Sequence, residues 1–170
     1  LTLEQAALIA VQRGRIMQRA TGSGKMAVVE LPVREAQRAV VPFADRISIA
    51  AINAPSSTVI SGEPSAIDAL TASLQEQKTA VRPIPVNYAF HSYQMEPYAR
   101  ELETVLAGLS PSPVRTPMWS TVTGAACSGL DLDAGYWARN VRQTVLFAQA
   151  TDRIDAERQV VIEIGPHPVL

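Results

Sequence analysis

The chain has 170 residues, of which 47% are apolar and 18% are charged, and its formal net charge is −1. This balance is typical of a globular protein with a core, and it gives no electrostatic reason to expect nucleic acid or an anionic membrane as a partner. The single Cys127 excludes an intrachain disulfide and a Cys-rich zinc site, and the absence of a signal peptide or a long apolar run predicts a soluble, cytoplasmic protein.

The first predicted element is a helix that ends near Arg19. Thr2 followed by Gln5 resembles a loose capping box, and apolar residues then recur with helical spacing. Glycines at positions 22 and 24 end the helix. Because the chain starts inside a helical pattern and stops directly after a strand-and-turn pattern, we expect a fragment of a longer polypeptide.

Residues 25–86 predict a compact unit of alternating strands and helices. Proline at position 64 is tolerated in the first turn of a helix, whereas prolines at 83 and 85 restrict the last strand to a sheet edge. The order is β-α-β-β-α-β, the ferredoxin-like arrangement. The six predicted elements are residues 26–31, 33–44, 47–52, 58–61, 64–77 and 81–86.

Helices and strands continue to alternate after this unit, as one half of a parallel α/β sheet would. An amphipathic helix is predicted at 95–109, with Pro97 in its first turn, and the run Ser-Pro-Ser-Pro at 110–113 then breaks the chain. The remaining predicted elements are a strand at 118–122, helices at 136–141 and 147–154, and a strand at 160–164.

His91 is the leading candidate for chemistry. It directly follows the strand at 81–86 and is one of two histidines in the chain. Imidazole exchanges protons near neutral pH, so at a strand end it can serve as a general base for a nucleophile supplied from elsewhere. The alternative is a structural histidine whose ring is satisfied by backbone groups. Tyr88 and Phe90, at alternating positions of the same extended segment, share one face and form either a pocket wall or part of the core.

Three further residues have a polar side chain suited to a site. Arg13, beside the small Gly14, can grip a carboxylate with its planar fork, or it can be a solvated residue of the first helix. Asn140 offers an amide oxygen that could accept the second N–H of an imidazole and fix its tautomer. His167 follows Gly165 and Pro166 and is more typical of a turn. The two histidines lack zinc-ligand spacing, so no metal site is expected.

Taken together, five motifs resemble the malonyl-CoA:acyl-carrier-protein transacylase family and, within it, the acyltransferase domains of polyketide synthases. They occur in the family's order and extend over nearly the whole chain. The motifs are residues 13–18 (RGRIMQ), 53–62 (NAPSSTVISG), 88–92 (YAFHS), 136–140 (YWARN) and 163–168 (EIGPHP).

The resemblance implies a fold, a reaction and roles for particular residues. The fold would be an α/β-hydrolase-like acyltransferase subdomain, here partial (1–22 and 87–170), with a ferredoxin-like subdomain (23–86) inserted. A serine would take the acyl group from coenzyme A and pass it to the phosphopantetheine thiol of an acyl carrier protein, with no bound cofactor. His91 would activate the serine, Arg13 would clamp the extender carboxylate, and Asn140 would orient His91.

The chain departs from the family in one large respect, since the Gly-His-Ser-x-Gly motif that carries the serine is absent. It would lie shortly before Leu1, so the chain alone should be inactive. Ketosynthase and other synthase domains are expected in the same polypeptide. Two non-catalytic alternatives are a free-standing ferredoxin-like binding module and a degenerate acyltransferase kept for docking. The sequence upstream of Leu1 would distinguish them.

The extender unit is predicted from the residues before His91. Within the family, His-Ala-Phe-His accompanies malonyl units and Tyr-Ala-Ser-His accompanies methylmalonyl units, whereas this chain has Tyr88 with Phe90. A phenyl ring at the third position would crowd a methyl branch. Malonyl-CoA is therefore the favoured substrate, and methylmalonyl-CoA is the alternative.

Overall fold

The computed structural model describes residues 1–152 and 162–164. Over these residues the helices are α1 (Leu3–Gln18), α2 (Val33–Val40), α3 (Pro64–Glu76), α4 (Glu96–Val105), α5 (Ala134–Arg142) and α6 (Phe147–Thr151). The strands are β1 (Lys25–Val29), β2 (Ile47–Ala54), β3 (Ser57–Gly62), β4 (Val81–Ile84), β5 (Trp119–Ser120) and β6 (Ala125–Ala126). Short 3-10 turns, Val41–Phe43 and Tyr93–Met95, follow α2 and precede α4.

Helix α1 begins with the capping box that the sequence predicts. The Thr2 hydroxyl accepts from the Gln5 backbone N–H, and the Gln5 side chain accepts from the Thr2 N–H. These two bonds satisfy backbone donors that the first turn of a helix leaves free. The apolar stripe of α1, including Ile16 and Met17, is buried against Leu102 of α4 and Val141 of α5. The three helices thus form one core.

The predicted β-α-β-β-α-β order over residues 25–86 is present. Its four strands form one antiparallel sheet in the order β2-β3-β1-β4, with α2 and α3 packed on one face. Helix α2 ends at Val40, four residues before the predicted end, because Pro42 has no N–H to continue the helix. Strand β4 ends at Ile84, before Pro85.

The other face of the sheet has a second apolar cluster. Ala50, Ala51 and Val59 are buried there, and Val145 from the segment after α5 packs against them. Val145 also forms a parallel bridge with Ala51. The sheet is thereby joined directly to the segment that follows α5.

Outside residues 25–86, helices α4 and α5 flank a short pair of strands, but this pair is antiparallel, and the expected parallel sheet is not seen in the part of the chain that the structure describes. Only Trp119–Ser120 of the predicted strand 118–122 is extended, and it pairs with β6 as an antiparallel hairpin. The chain reverses because Gly124, at φ +65°, donates its N–H to the Ser120 carbonyl at 2.8 Å.

The last predicted strand, 160–164, falls partly outside the described residues. Positions 160 and 161 lie outside them, and residues 162–164 are not in a strand. Within residues 1–152 and 162–164, no helix is both long and apolar enough to cross a bilayer.

Candidate active site

The segment that carries His91 is held against the end of α1. The Asn87 carbonyl accepts from the Gly22 N–H at 2.7 Å, and Ala89 is fully buried. A Cβ atom on Gly24 would lie 2.4 Å from the Ala89 Cβ, so only glycine allows this approach. His91 itself has φ +59°, a left-handed conformation that few non-glycine residues adopt. The backbone around His91 is therefore tightly defined.

The imidazole of His91 is oriented by a backbone carbonyl. Its Nδ1 lies 2.9 Å from the Gln143 oxygen, and because a carbonyl only accepts, Nδ1 carries the proton. In the neutral ring, Nε2 is then left with a free lone pair. Burial lowers the pKa of His91 to about 4, the Gln143 bond opposes this shift, and the charge of Arg13 adds to it. His91 is thus a neutral base at pH 7.

The structure corrects the predicted role of Asn140. Among the described residues, His91 has no hydrogen bond to the Asn140 side chain, and its acceptor comes from Gln143 instead. Asn140 lies within α5, whereas Gln143 is the residue after the helix end, with extended backbone (φ −83°, ψ 162°). The carbonyls of the last turn have no partner within the helix, so this one is free to accept from His91.

Arg13 lies on α1 with its guanidinium half-buried. Within the described part of the chain, its buried Nε has no hydrogen-bond acceptor. Burial lowers the pKa of Arg13, yet arginine remains charged at neutral pH. A Cβ atom on the adjacent Gly14 would meet nothing within 4 Å. Among the described residues, the site therefore has a partly desolvated cation whose Nε has no acceptor, which suits an anionic ligand.

Tyr88 and Phe90 share one face, as predicted. Their rings stack with centroids 3.8 Å apart and planes inclined by 18°. Phe90 also packs against the core of α1, α4 and α5. The two rings thus form one continuous aromatic surface in the segment that leads to His91.

The described residues bring together a base and a cation but no nucleophile. No serine, threonine or cysteine within residues 1–152 and 162–164 hydrogen-bonds to His91. The adjacent Ser92 donates its hydroxyl to the Ala89 carbonyl at 2.6 Å, and Cys127 is buried in a separate cluster. His167, predicted to be a turn residue, lies outside the described residues. The arrangement can deprotonate a nucleophile that enters from elsewhere.

Known proteins are similar in sequence to this chain over its full length. The family model named acyl transferase domain matches residues 1–170. Erythronolide synthase EryA2 of Saccharopolyspora erythraea is 42% identical over 171 residues, which are 100% of this chain and 5% of that protein.

Solved acyltransferase domains share the fold. The domain of the polyketide synthase PpsC of Mycobacterium tuberculosis superimposes with a TM-score of 0.90 at 32% identity, covering 100% of this chain and 53% of that one. The domain from module 8 of the salinomycin polyketide synthase gives a TM-score of 0.86 at 36% identity, covering 89% of this chain and 36% of that one. The chain thus spans about a third to a half of the solved domains and a small part of the synthase.

Proposed function

The chain belongs to the acyl transferase domain family, and from this membership we propose that it forms part of a polyketide synthase domain that loads a malonyl-type extender unit. The acyl group would move from coenzyme A to the phosphopantetheine of an acyl carrier protein. The observation that carries the proposal is the partly buried Arg13 guanidinium, whose Nε has no acceptor among residues 1–152 and 162–164 and whose charge helps to keep the imidazole of His91 neutral.

The reaction follows from the roles of these two residues. A serine outside this chain would lose its Oγ proton to His91 Nε2 as its oxygen attacks the thioester carbonyl. When the C–S bond breaks, His91 returns the proton to the departing thiolate, leaving an acyl-serine and free coenzyme A. The carrier thiol would reverse these steps, with His91 taking the thiol proton and returning it to the serine. Arg13 would hold the extender carboxylate throughout.

The same proposal extends to the division of the chain. Residues 23–86 would be a ferredoxin-like subdomain, and residues 1–22 and 87–170 would belong to the large α/β-hydrolase-like subdomain. Support comes from the antiparallel sheet order β2-β3-β1-β4 and from the separate apolar core of α1, α4 and α5. Ketosynthase and other synthase domains would adjoin the domain in the same polypeptide.

The direct test is to incubate the complete domain with radiolabelled malonyl-CoA and then with a carrier protein. We expect a stoichiometric ester label on the domain, followed by transfer to the carrier. A complete domain with an intact serine that takes up no label, yet binds the carrier, would instead favour the non-catalytic docking module.

Replacing Phe90 with serine should change the choice of extender unit. The phenyl ring would crowd a methyl branch next to the thioester carbonyl, so Phe90→Ser should raise methylmalonyl transfer relative to malonyl transfer. One methyl group is worth about 1–3 kcal/mol, or roughly 5- to 150-fold. The measurement is competition between the two thioesters on the complete domain.

The control for Phe90→Ser is Tyr88→Phe, which keeps the stacked pair and removes only a hydroxyl. It should leave the ratio of the two transfer rates near the wild-type value. A wild-type preference for methylmalonyl-CoA that Phe90→Ser leaves unchanged would remove Phe90 from selectivity.

The pH dependence of acylation should reflect the low pKa of His91. The reactive form is the neutral imidazole, which predominates above the pKa of about 4, so the acid limb of kcat/KM should lie well below the ordinary value of 6.5. The pH profile of kcat reports the enzyme–substrate complex. Its acid limb should lie at higher pH than that of kcat/KM, because a bound carboxylate offsets the charge of Arg13 and so raises the pKa of His91. Rates are measured from pH 4 to 8 after confirming that the domain stays folded. Acid limbs at or above pH 6.5 in both profiles would contradict this account.

A further inference from the structure

The edge of strand β2 is joined to the chain immediately after Gln143. Strand β2 is the outermost strand of the sheet, so its free edge can pair with another segment. The Thr144 hydroxyl donates to the Ile49 carbonyl at 2.7 Å. Val145 then donates its N–H to the Ala50 carbonyl at 2.8 Å and accepts from the Ile52 N–H at 2.9 Å.

A β-bulge in β2 coincides with this attachment. Ile49 pairs with Ile60 and Ala51 pairs with Val59, which leaves Ala50 as an extra residue without a partner on β3. A bulge bends its strand and redirects the unpaired residue. Here the carbonyl of the extra residue, Ala50, accepts from the Val145 N–H, so the bulge lies where the segment after α5 binds to β2.

The same strand also holds the segment of His91. The Ser48 hydroxyl accepts from the Tyr93 N–H at 3.3 Å, two residues after His91. Strand β2 therefore contacts both sides of the His91–Gln143 hydrogen bond, through Tyr93 on the imidazole side and through Thr144 on the carbonyl side.

We propose that Thr144 is a positioning residue for the acyl transfer reaction: by its bond to the edge of β2, it fixes the Gln143 carbonyl that orients His91. The inference rests on the proposed function, in which His91 is the base. Thr144 makes this attachment with a side chain, whereas Val145 uses its backbone, so substitution can test Thr144 selectively. A misplaced carbonyl would free the imidazole to rotate away from the serine without disturbing the substrate contacts of Arg13.

The test is Thr144→Val in the complete domain, since valine keeps the shape of threonine and removes the hydroxyl donor. We expect kcat for malonyl transfer to fall about 10- to 100-fold, because small errors in the placement of catalytic groups have effects of this size. KM for malonyl-CoA should stay near its wild-type value. Thr144→Ser, which restores the donor, should recover most of the lost kcat.

The matched control is Thr151→Val. The Thr151 hydroxyl also bonds to backbone carbonyls, those of Phe147 at 2.9 Å and Ala148 at 3.2 Å, but these bonds lie within its own helix and not on the edge of β2. It should change kcat less than twofold. A wild-type kcat in Thr144→Val, a change in KM alone, or a failure of Thr144→Ser to recover activity would overturn the inference.

Two further variants cover a failure of Thr144→Val to fold and separate the role of Thr144 from the proposed function. If Thr144→Val does not fold, Thr144→Ala removes the same hydroxyl donor and should lower kcat without altering KM. A wild-type kcat in Thr144→Ala would then overturn the inference. His91→Ala is measured in the same series. If it retains activity, the proposed function fails, whereas an inactive His91→Ala beside a normal Thr144→Val rejects only the role of Thr144.

Discussion

His91→Ala in the complete domain should lower acyl transfer by about 10⁴- to 10⁶-fold, the effect of removing the base from a serine nucleophile in other enzymes. The neutral imidazole, with Nδ1 bound to the Gln143 carbonyl, leaves Nε2 to accept the serine proton. Without it, neither acylation nor transfer to the carrier has a proton acceptor. The measurement is the rate of labelling by radioactive malonyl-CoA in a rapid-quench experiment.

The backbone at His91 requires a second variant. At φ +59° an alanine is strained, so His91→Ala could lose activity through the loop rather than through chemistry. Asparagine tolerates this conformation and cannot act as a base. His91→Asn should therefore be as inactive as His91→Ala while its melting temperature stays near that of the wild type. Labelling at a near-normal rate in a folded His91→Asn domain would exclude His91 as the base.

Regular elements were predictable because their signals are local. The capping pair Thr2 and Gln5, the proline at the start of α3 and the prolines at positions 83 and 85 near the end of β4 each act within a few residues. The order of elements over residues 25–86 followed from them. The prediction of the strand at 118–122 was wrong because a single residue reverses the chain. At Gly124, with φ +65°, the chain turns back, so that β5 is short and pairs with β6 as an antiparallel hairpin.

The sequence predicted the parts of the site that are side chains, but not the part that is a backbone carbonyl. His91 and Arg13 are recognisable by residue type and by the family motifs, whereas the partner of His91 is a carbonyl that any residue at position 143 would provide. A backbone acceptor at a helix end has no side-chain signature, whereas Asn140, three residues earlier, has an amide side chain that indicates such a role. The role of the β2 edge is equally hidden, since Thr144 lies 95 residues from Ile49 in the chain.

Arg13→Ala should abolish most malonyl transfer while leaving acetyl transfer nearly unchanged. The guanidinium is partly buried and its Nε lacks an acceptor in the described part of the chain, so a carboxylate that binds it gains a bidentate, charge-assisted contact. Removing one partner of such a pair typically costs about 2–5 kcal/mol, or roughly 30- to 5,000-fold in kcat/KM. Acetyl-CoA has no carboxylate and loses nothing. The ratio of malonyl to acetyl transfer, measured on the complete domain, should therefore fall by that factor.

Two variants on the same helix separate charge from geometry. Arg15→Ala removes an exposed arginine of α1 two residues away and should leave both rates unchanged. Arg13→Lys keeps the positive charge but lacks the planar fork, so it should bind the carboxylate less well than arginine and better than alanine.

Since the charge of Arg13 also lowers the pKa of His91, the acid limb of acetyl transfer should move to higher pH in Arg13→Ala and stay low in Arg13→Lys. If Arg13→Ala lowered malonyl and acetyl transfer by the same factor, Arg13 would support the fold of α1 and would not select the substrate.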